Sequence, residues 1–318
     1  MPVGVPSEDE VLLRVLAVGL CGSDAHWFRE GAIGDAVLGD GLVPGHEFSA
    51  VIESGPHVGQ RVAVDPAISC QACEHCAAGR PNVCLNLRFA GHGIDGAMRR
   101  HMVWPARCLV PIPDRVPDDQ GAMLEPLGVA LHSIDLAGDI EGASAGVIGC
   151  GPIGLLLIAA LRHRGLSRIV ATDPLAHRVV AAVGMGATQA IVIDGADSDR
   201  SFAGDMGGGL DVVFETAGSD SGLHSALTAV RPSGRVVLVG IPDGDRTSYV
   251  ASLARRKELT LVVCRRMLPG DLIRAAEMAG SGLAGLESLV SHRYPMSQAG
   301  DAFCTLVERV GLKVMIIP

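Results

Sequence analysis

At 318 residues the chain exceeds the length over which one hydrophobic core usually keeps growing, so two domains are expected, and 48% hydrophobic residues supply both cores. A net charge of −9, from 35 acidic against 26 basic residues with no dense basic cluster, argues against nucleic acid as a partner. The most apolar run, residues 145–161, is broken by Gly146, Gly149, Gly151, Pro152 and Gly154, and Met1-Pro2-Val3-Gly4 leads into no apolar signal stretch. No membrane span is expected, and the protein is expected to be soluble and cytoplasmic.

In chain order, residues 11–18, 49–52 and 61–64 are short apolar runs punctuated by Gly and Pro, without long helical periodicity. The stretch up to Pro113 is therefore expected to be mainly β. Cys21-Gly22-Ser23-Asp24 follows the first of these strands, and Gly45-His46-Glu47 precedes the second. An isolated Cys is usually core and an isolated His-Glu pair usually surface. Together they offer soft, borderline and hard ligands to one ion, as an open catalytic zinc site requires. Of nine cysteines, four follow the pattern Cys70-x2-Cys73-x2-Cys76-x7-Cys84. Short CxxC loops bring successive thiolates onto one tetrahedral Zn²⁺, and a reducing compartment disfavours the alternative of two disulfides. Four thiolates leave no open position, so this metal would staple a loop. Leu124-Glu125-Pro126-Leu127 adds a further carboxylate near the junction of the two halves, where a cleft is expected.

From Ala145 the rhythm changes to apolar strand, glycine turn and amphipathic helix, repeated through residues 168–172, 190–193, 211–215, 235–239 and 259–264. That alternation implies a parallel sheet with crossover helices. A helix at 270–279, a loop and a terminal strand at 312–317 follow, the last returning to the β half. Gly149-Cys150-Gly151-Pro152-Ile153-Gly154 is GxGxxG between a strand and a helix. Gly149 permits the tight turn, Gly151 lets backbone approach a pyrophosphate, and Gly154 lets the helix pack against the strand. Asp173, at the end of the next strand, can accept both adenosine-ribose hydroxyls and would repel a 2′-phosphate, which favours NAD over NADP. Arg178 either covers the adenine or sits on a helix surface.

These segments together resemble the zinc-containing medium-chain dehydrogenase/reductase superfamily, and within it the sorbitol and polyol dehydrogenase branch. The matching text is the run from Cys21 to Gly34, Pro44-Gly45-His46-Glu47, the cysteine quartet, Asp95-Gly96, Glu125-Pro126-Leu127, the glycine turn and Asp173, spread over nearly the whole chain. The resemblance implies a catalytic zinc held by Cys21, His46 and Glu47, with Glu125 nearby through water or by direct exchange, and a structural zinc on Cys70, Cys73, Cys76 and Cys84. Relatives acting on simple alcohols carry Cys where Glu125 stands, so the acid argues for the polyol branch. Ser23 would pass the substrate proton outward and His26 continue the relay, while Trp27 replaces an aromatic lining the pocket. Cys264-Arg265-Arg266 falls where the family has Phe-Arg-Tyr, making Arg265 a hydroxyl clamp and Arg266 a departure. Val239, Gly240 and Ile241 are expected at the cofactor beside the glycine turn. Two further departures are a short stretch ahead of Val11 and missing residues within 53–61.

The implied architecture is α/β: a β-rich GroES-like catalytic domain over 1–126 and 265–318, with a zinc lobe at about 70–84, around a Rossmann NAD domain at 127–264. A homodimer or homotetramer built through the Rossmann sheets is implied as well. The implied activity is oxidation of a secondary hydroxyl on a small polyol-like substrate to a ketone, with NAD as acceptor. An aminocyclitol or amino-sugar dehydrogenase would share every metal and cofactor residue. Threonine dehydrogenase fits His26-Trp27-Phe28 less well, and an inactive NAD-binding structural or regulatory relative would have no need of Cys21, His46, Glu47 and Glu125.

Overall fold

The computed structural model describes residues 4–33, 36–37, 41–193, 208–242, 246–283 and 285–318; Gly34, which ends the motif beginning at Cys21, lies outside the described residues. The chain divides into two compact units, one comprising Met1–Gly128, Arg266–Gly282 and Leu286–Pro318, the other Val129–Arg265 and Leu283–Gly285.

The first unit is organised on the strand Glu10–Gly19, in which Val11, Leu13 and Val15 alternate inward as a half-buried strand demands. It pairs antiparallel with Glu47–Ile52 and with Lys313–Ile317, placing Val18 opposite both Phe48 and Ile316. His101–Pro105 pairs with its first half, Arg61–Val64 and Leu109–Pro111 extend the sheet on one side, and Val290–Pro295 closes the other. Phe48 and Trp104 meet edge to face at 6.2 Å within a core that also holds Val62, Val64, Met102 and Val314. Each such side chain contributes on the order of 1.5–3 kcal/mol when removed from water. The terminal strand thus returns to the β half as its position in the chain suggested.

Three elements of this unit depart from the expected pattern. A helix, Gly22–Glu30, follows the first strand directly; only Asp24 and Trp27 on it are buried, so it carries no apolar stripe for a periodicity argument to find. Its ends are set by local chemistry instead: the Cys21 N–H donates to Asp24 Oδ2 at 2.9 Å, and Gly31 stops it at φ 66°. The strand Val290–Pro295 and the helix Ala299–Val307 occupy a segment expected to be loop. In that strand Val290 is buried and His292 and Tyr294 are half-buried, alternating with exposed Ser291, Arg293 and Pro295, which leaves no continuous apolar run.

The second unit is a six-stranded sheet, all of its pairs parallel, in the order Gln189–Val192, Arg168–Asp173, Ser144–Ile148, Leu210–Glu215, Val230–Leu238, Thr260–Val263. Numbered along the chain this is 3-2-1-4-5-6, the doubly wound dinucleotide-binding order. The strand Ser144–Ile148 is apolar and buried, and the helix Pro152–His163 behind it is buried at every position from Gly154 to Leu161. Such two-sided burial is why these segments read as continuous apolar runs.

Candidate active site

Cys21, His46 and Glu47 reach one point because the ends of two paired strands hold them. Gly19 stands opposite Glu47 across the sheet, Cys21 leaves the end of that strand, and His46 enters the next. One ligand atom from each of Cys21, His46 and Glu47 lies within 4.8 Å of the others. A thiol, an imidazole and a carboxylate at this spacing form a donor set suited to Zn²⁺, with room for a fourth, exchangeable position. Asp24 Oδ1 lies 3.8 Å from His46 Nδ1, which leaves Nε2 to face the cluster, 3.4 Å from Ser23 Oγ. Burial, reinforced by the charge of Glu47, pushes the Cys21 thiol up to about 12, so a cation arriving here must displace a proton.

Glu125 is buried beside the cluster but outside that 4.8 Å group. Burial raises its carboxyl to about 8; His46 opposes the shift, while Glu47 and Cys21 add to it. The wall next to the cluster is aromatic and cationic. Phe89 stacks obliquely on His46 at 5.4 Å, and the Arg266 guanidinium lies 4.1 Å from the centroid of the same ring. Arg266 adopts φ 56°, rare for a residue with a side chain. It also moderates Asp65, whose carboxyl burial pushes up to about 6. Trp27 is buried with its ring 5.4 Å from that of His92, and His26 Nδ1 is 3.6 Å from Glu30 Oε1. Arg265 is exposed.

Sequence reasoning passed over Asp24, Phe89, His92 and Lys313. Lys313 had a visible signal, a lone charge in the apolar terminal strand Lys313–Ile317, and its Nζ meets Glu47 Oε2 directly. Phe89 and His92 had none, since only the folded chain brings them to His46 and Trp27.

The quartet is assembled by a short helix, Glu74–Ala77, and the turns around it. Its sulfur atoms stand 3.4 Å apart for Cys70–Cys84, 3.5 Å for Cys73–Cys76 and 3.8 Å for Cys73–Cys84. A disulfide would bring a pair to about 2.05 Å. Four sulfurs at about 2.3 Å from a tetrahedral centre stand about 3.8 Å from one another, so the cage fits zinc. Backbone N–H groups of Ala72 and Cys73 lower the Cys70 thiol to about 6, toward the thiolate that ligation needs.

In the second unit, Gly149 has φ 96°, and a Cβ on it would stand 2.9 Å from the Ala217 nitrogen. A Cβ on Gly154 would collide with the Gly149 carbonyl and stand 2.9 Å from Thr216 Oγ1. Those two glycines are demanded by the fold itself. Gly151 is different: among the described residues a Cβ there would meet only Arg178, at 3.8 Å, which leaves space in front of it for a bound group to approach the backbone. That space lies at the start of the helix Pro152–His163, whose first N–H groups receive no side-chain cap, and Ile153 lies in its first turn. The arrangement fits a pyrophosphate. Asp173 ends the neighbouring strand with Oδ2 accepting from the Cys150 N–H at 2.8 Å and Oδ1 from the Leu175 N–H at 2.9 Å. Val239 and Gly240 donate backbone N–H groups to the Glu215 carbonyl at 2.8 and 3.0 Å, and Gly218 packs against the carbonyl of Ile241.

Residues 7–114 match the family model of the alcohol dehydrogenase GroES-like domain, and residues 152–281 that of the zinc-binding dehydrogenases. The chain is 32% identical over 330 residues to a sorbitol dehydrogenase of Bacillus subtilis, covering 100% of this chain and 93% of that protein. A zinc-binding dehydrogenase from Sinorhizobium meliloti bound to NADP superposes with a TM-score of 0.90 at 29% identity, over 100% of this chain and 94% of the other. An alcohol dehydrogenase of Escherichia coli CFT073 in complex with NADH gives a TM-score of 0.89 at 29% identity, with coverage of 100% and 94%.

Proposed function

Because this chain belongs to the zinc-containing alcohol dehydrogenase family, we propose that it passes a hydride from a secondary hydroxyl of a polyol to NAD and releases a ketone. The observation that carries the proposal is the Cys21, His46 and Glu47 donor set, closed to within 4.8 Å on the unit that also carries the cysteine quartet. When bound, zinc supplies Lewis acidity that lowers the pKa of a hydroxyl, and the dinucleotide supplies the hydride acceptor. The chain's own residues do the rest. Cys21 and Glu47 contribute two negative charges, and Asp24 sets the orientation of His46. Ser23 Oγ, 3.4 Å from His46 Nε2, takes the hydroxyl proton and hands it toward His26. Glu125 stands buried beside these donors, and burial raises its carboxyl in the metal-free protein.

Gly149, Gly151 and Gly154 form the seat for the pyrophosphate, and Asp173 selects NAD through the adenosine ribose. Relatives of known structure hold either NADP or NADH, so this carboxylate is the discriminating group on the present chain. The polyol assignment is supported by the sorbitol dehydrogenase relative and by an acid, Glu125, beside the metal cluster. We place the enzyme in the cytoplasm as a homodimer or homotetramer. The reduced thiols that two zinc sites require support that compartment.

An initial-rate screen of NAD reduction across polyols, cyclitols, amino alcohols and simple secondary alcohols tests the proposal. Polyols are expected to give kcat/KM at least about tenfold above simple secondary alcohols, a difference of about 1.4 kcal/mol. Preference for a cyclitol or amino alcohol would move the enzyme to a sister branch, and no NAD reduction with any of them would defeat the reading.

A further inference from the structure

Lys313 is fully buried, with about 1% of its surface exposed, in a strand otherwise made of Val, Met and Ile. A buried ammonium costs several kcal/mol unless it is paired and hydrogen-bonded. Here Nζ donates to the Leu20 carbonyl at 2.9 Å and forms an ion pair with Glu47 Oε2. Glu47 and Lys313 start the two strands that flank Glu10–Gly19, so the pair has to reach across the strand between them. It does so over Gly19. A Cβ at that position would press on Glu47 Oε2 and stand 2.8 Å from Lys313 Cε. Three sequence-distant strands thus combine a lysine, a glycine and a glutamate into one device, and its carboxylate is one of the three donors of the metal cluster.

We propose that Lys313 is the positioning residue of the catalytic metal, holding one oxygen of Glu47 so that the carboxylate meets the ion through the other in a fixed orientation. The inference rests on the zinc dehydrogenase reading above. The lysine charge also offsets one of the two anionic ligands, so the loaded site keeps net positive character toward a developing alkoxide. Glu47 would otherwise be free to rotate or to chelate through both oxygens, and the geometry that leaves an exchangeable position would be lost.

Zinc content and a cobalt(II) spectrum test this without reference to turnover. Wild-type protein is expected to retain two zinc ions per chain after dialysis against a moderate chelator. Lys313→Gln should retain one, held by the quartet, with affinity for the second reduced about 10–100-fold. Cobalt(II) at the second site of Lys313→Gln should show d–d bands of altered intensity. Wild-type affinity and an unchanged spectrum in Lys313→Gln would overturn the proposal. If that variant lost both ions through misfolding, Gly19→Ala decides, because it leaves both charges intact and removes only the room they share. Selective loss of the second zinc is expected there, and retention of both at wild-type affinity would overturn the proposal. Wild-type protein that held only one zinc would instead defeat the dehydrogenase reading itself.

Discussion

Asp173 carries two tasks on one carboxylate. Its oxygens accept from the Cys150 and Leu175 N–H groups, which fixes the glycine turn against the neighbouring strand and presents a negative charge at the end of that strand. Asp173→Asn keeps one acceptor and removes the charge, so it separates the tasks. The ratio of kcat/KM for NAD over NADP should fall at least about tenfold in this variant, and stability should fall by about 1–3 kcal/mol as one backbone N–H loses its acceptor. An unchanged cofactor ratio would remove Asp173 from the ribose. The acid was legible in the sequence because its place after the glycine turn is local. The quartet was legible for the same reason, its four ligands falling within one short loop. Lys313 and Glu47 lie 266 positions apart, so no spacing rule could join them.

At the scale of elements, the second unit shows two devices that depend on pairing between segments. Lys257, at the end of the helix Ala251–Lys257, donates to the carbonyls of Leu227, Thr228 and Val230 where the helix Asp220–Ala229 stops. A cation at a helix C-terminus satisfies carbonyls that have no intrahelical partner. Lys257→Met should lower unfolding free energy by about 2 kcal/mol in a urea titration, and a midpoint shift near zero would show that water serves those carbonyls equally well. Glu215 ends the strand Leu210–Glu215 and accepts the N–H groups of Ala217 and Gly218 at 2.9 and 2.8 Å, yet burial raises its carboxyl to about 7. The folded state therefore holds a proton that the unfolded chain releases near 4.5, so stability declines as pH rises from about 4.5 to about 7. Glu215→Gln should flatten that decline, the gain over wild type widening to about 3 kcal/mol by pH 7. Parallel pH profiles for the two proteins would contradict this. The inner strands Ser144–Ile148, Arg168–Asp173 and Leu210–Glu215 were legible because burial on both faces makes them continuous apolar runs. The helix Gly22–Glu30 was not, since Cys21, Asp24 and Gly31 define it in place of an apolar stripe.

On the scale of the whole molecule, the Cys21, His46 and Glu47 cluster and the glycine turn lie on two units built on different sheets. The first unit, which takes in both ends of the chain, has a mixed sheet whose strand ends carry the Cys21, His46 and Glu47 cluster, and the second has a parallel sheet followed at its first strand by the glycine turn. Family membership follows from matches that span both units. The rim of the metal site was the least legible part, because Phe89, His92 and Arg266 meet it only through the folded chain. In the proposed function the Cys21, His46 and Glu47 cluster holds the zinc on which NAD-linked polyol oxidation depends. The direct test is NADH formation from sorbitol by protein stripped of that zinc, with the quartet's zinc retained, before and after zinc is restored. Turnover is expected to vanish with the second ion and to return with it in proportion to occupancy; undiminished NADH formation by the stripped protein would take the chemistry away from this cluster.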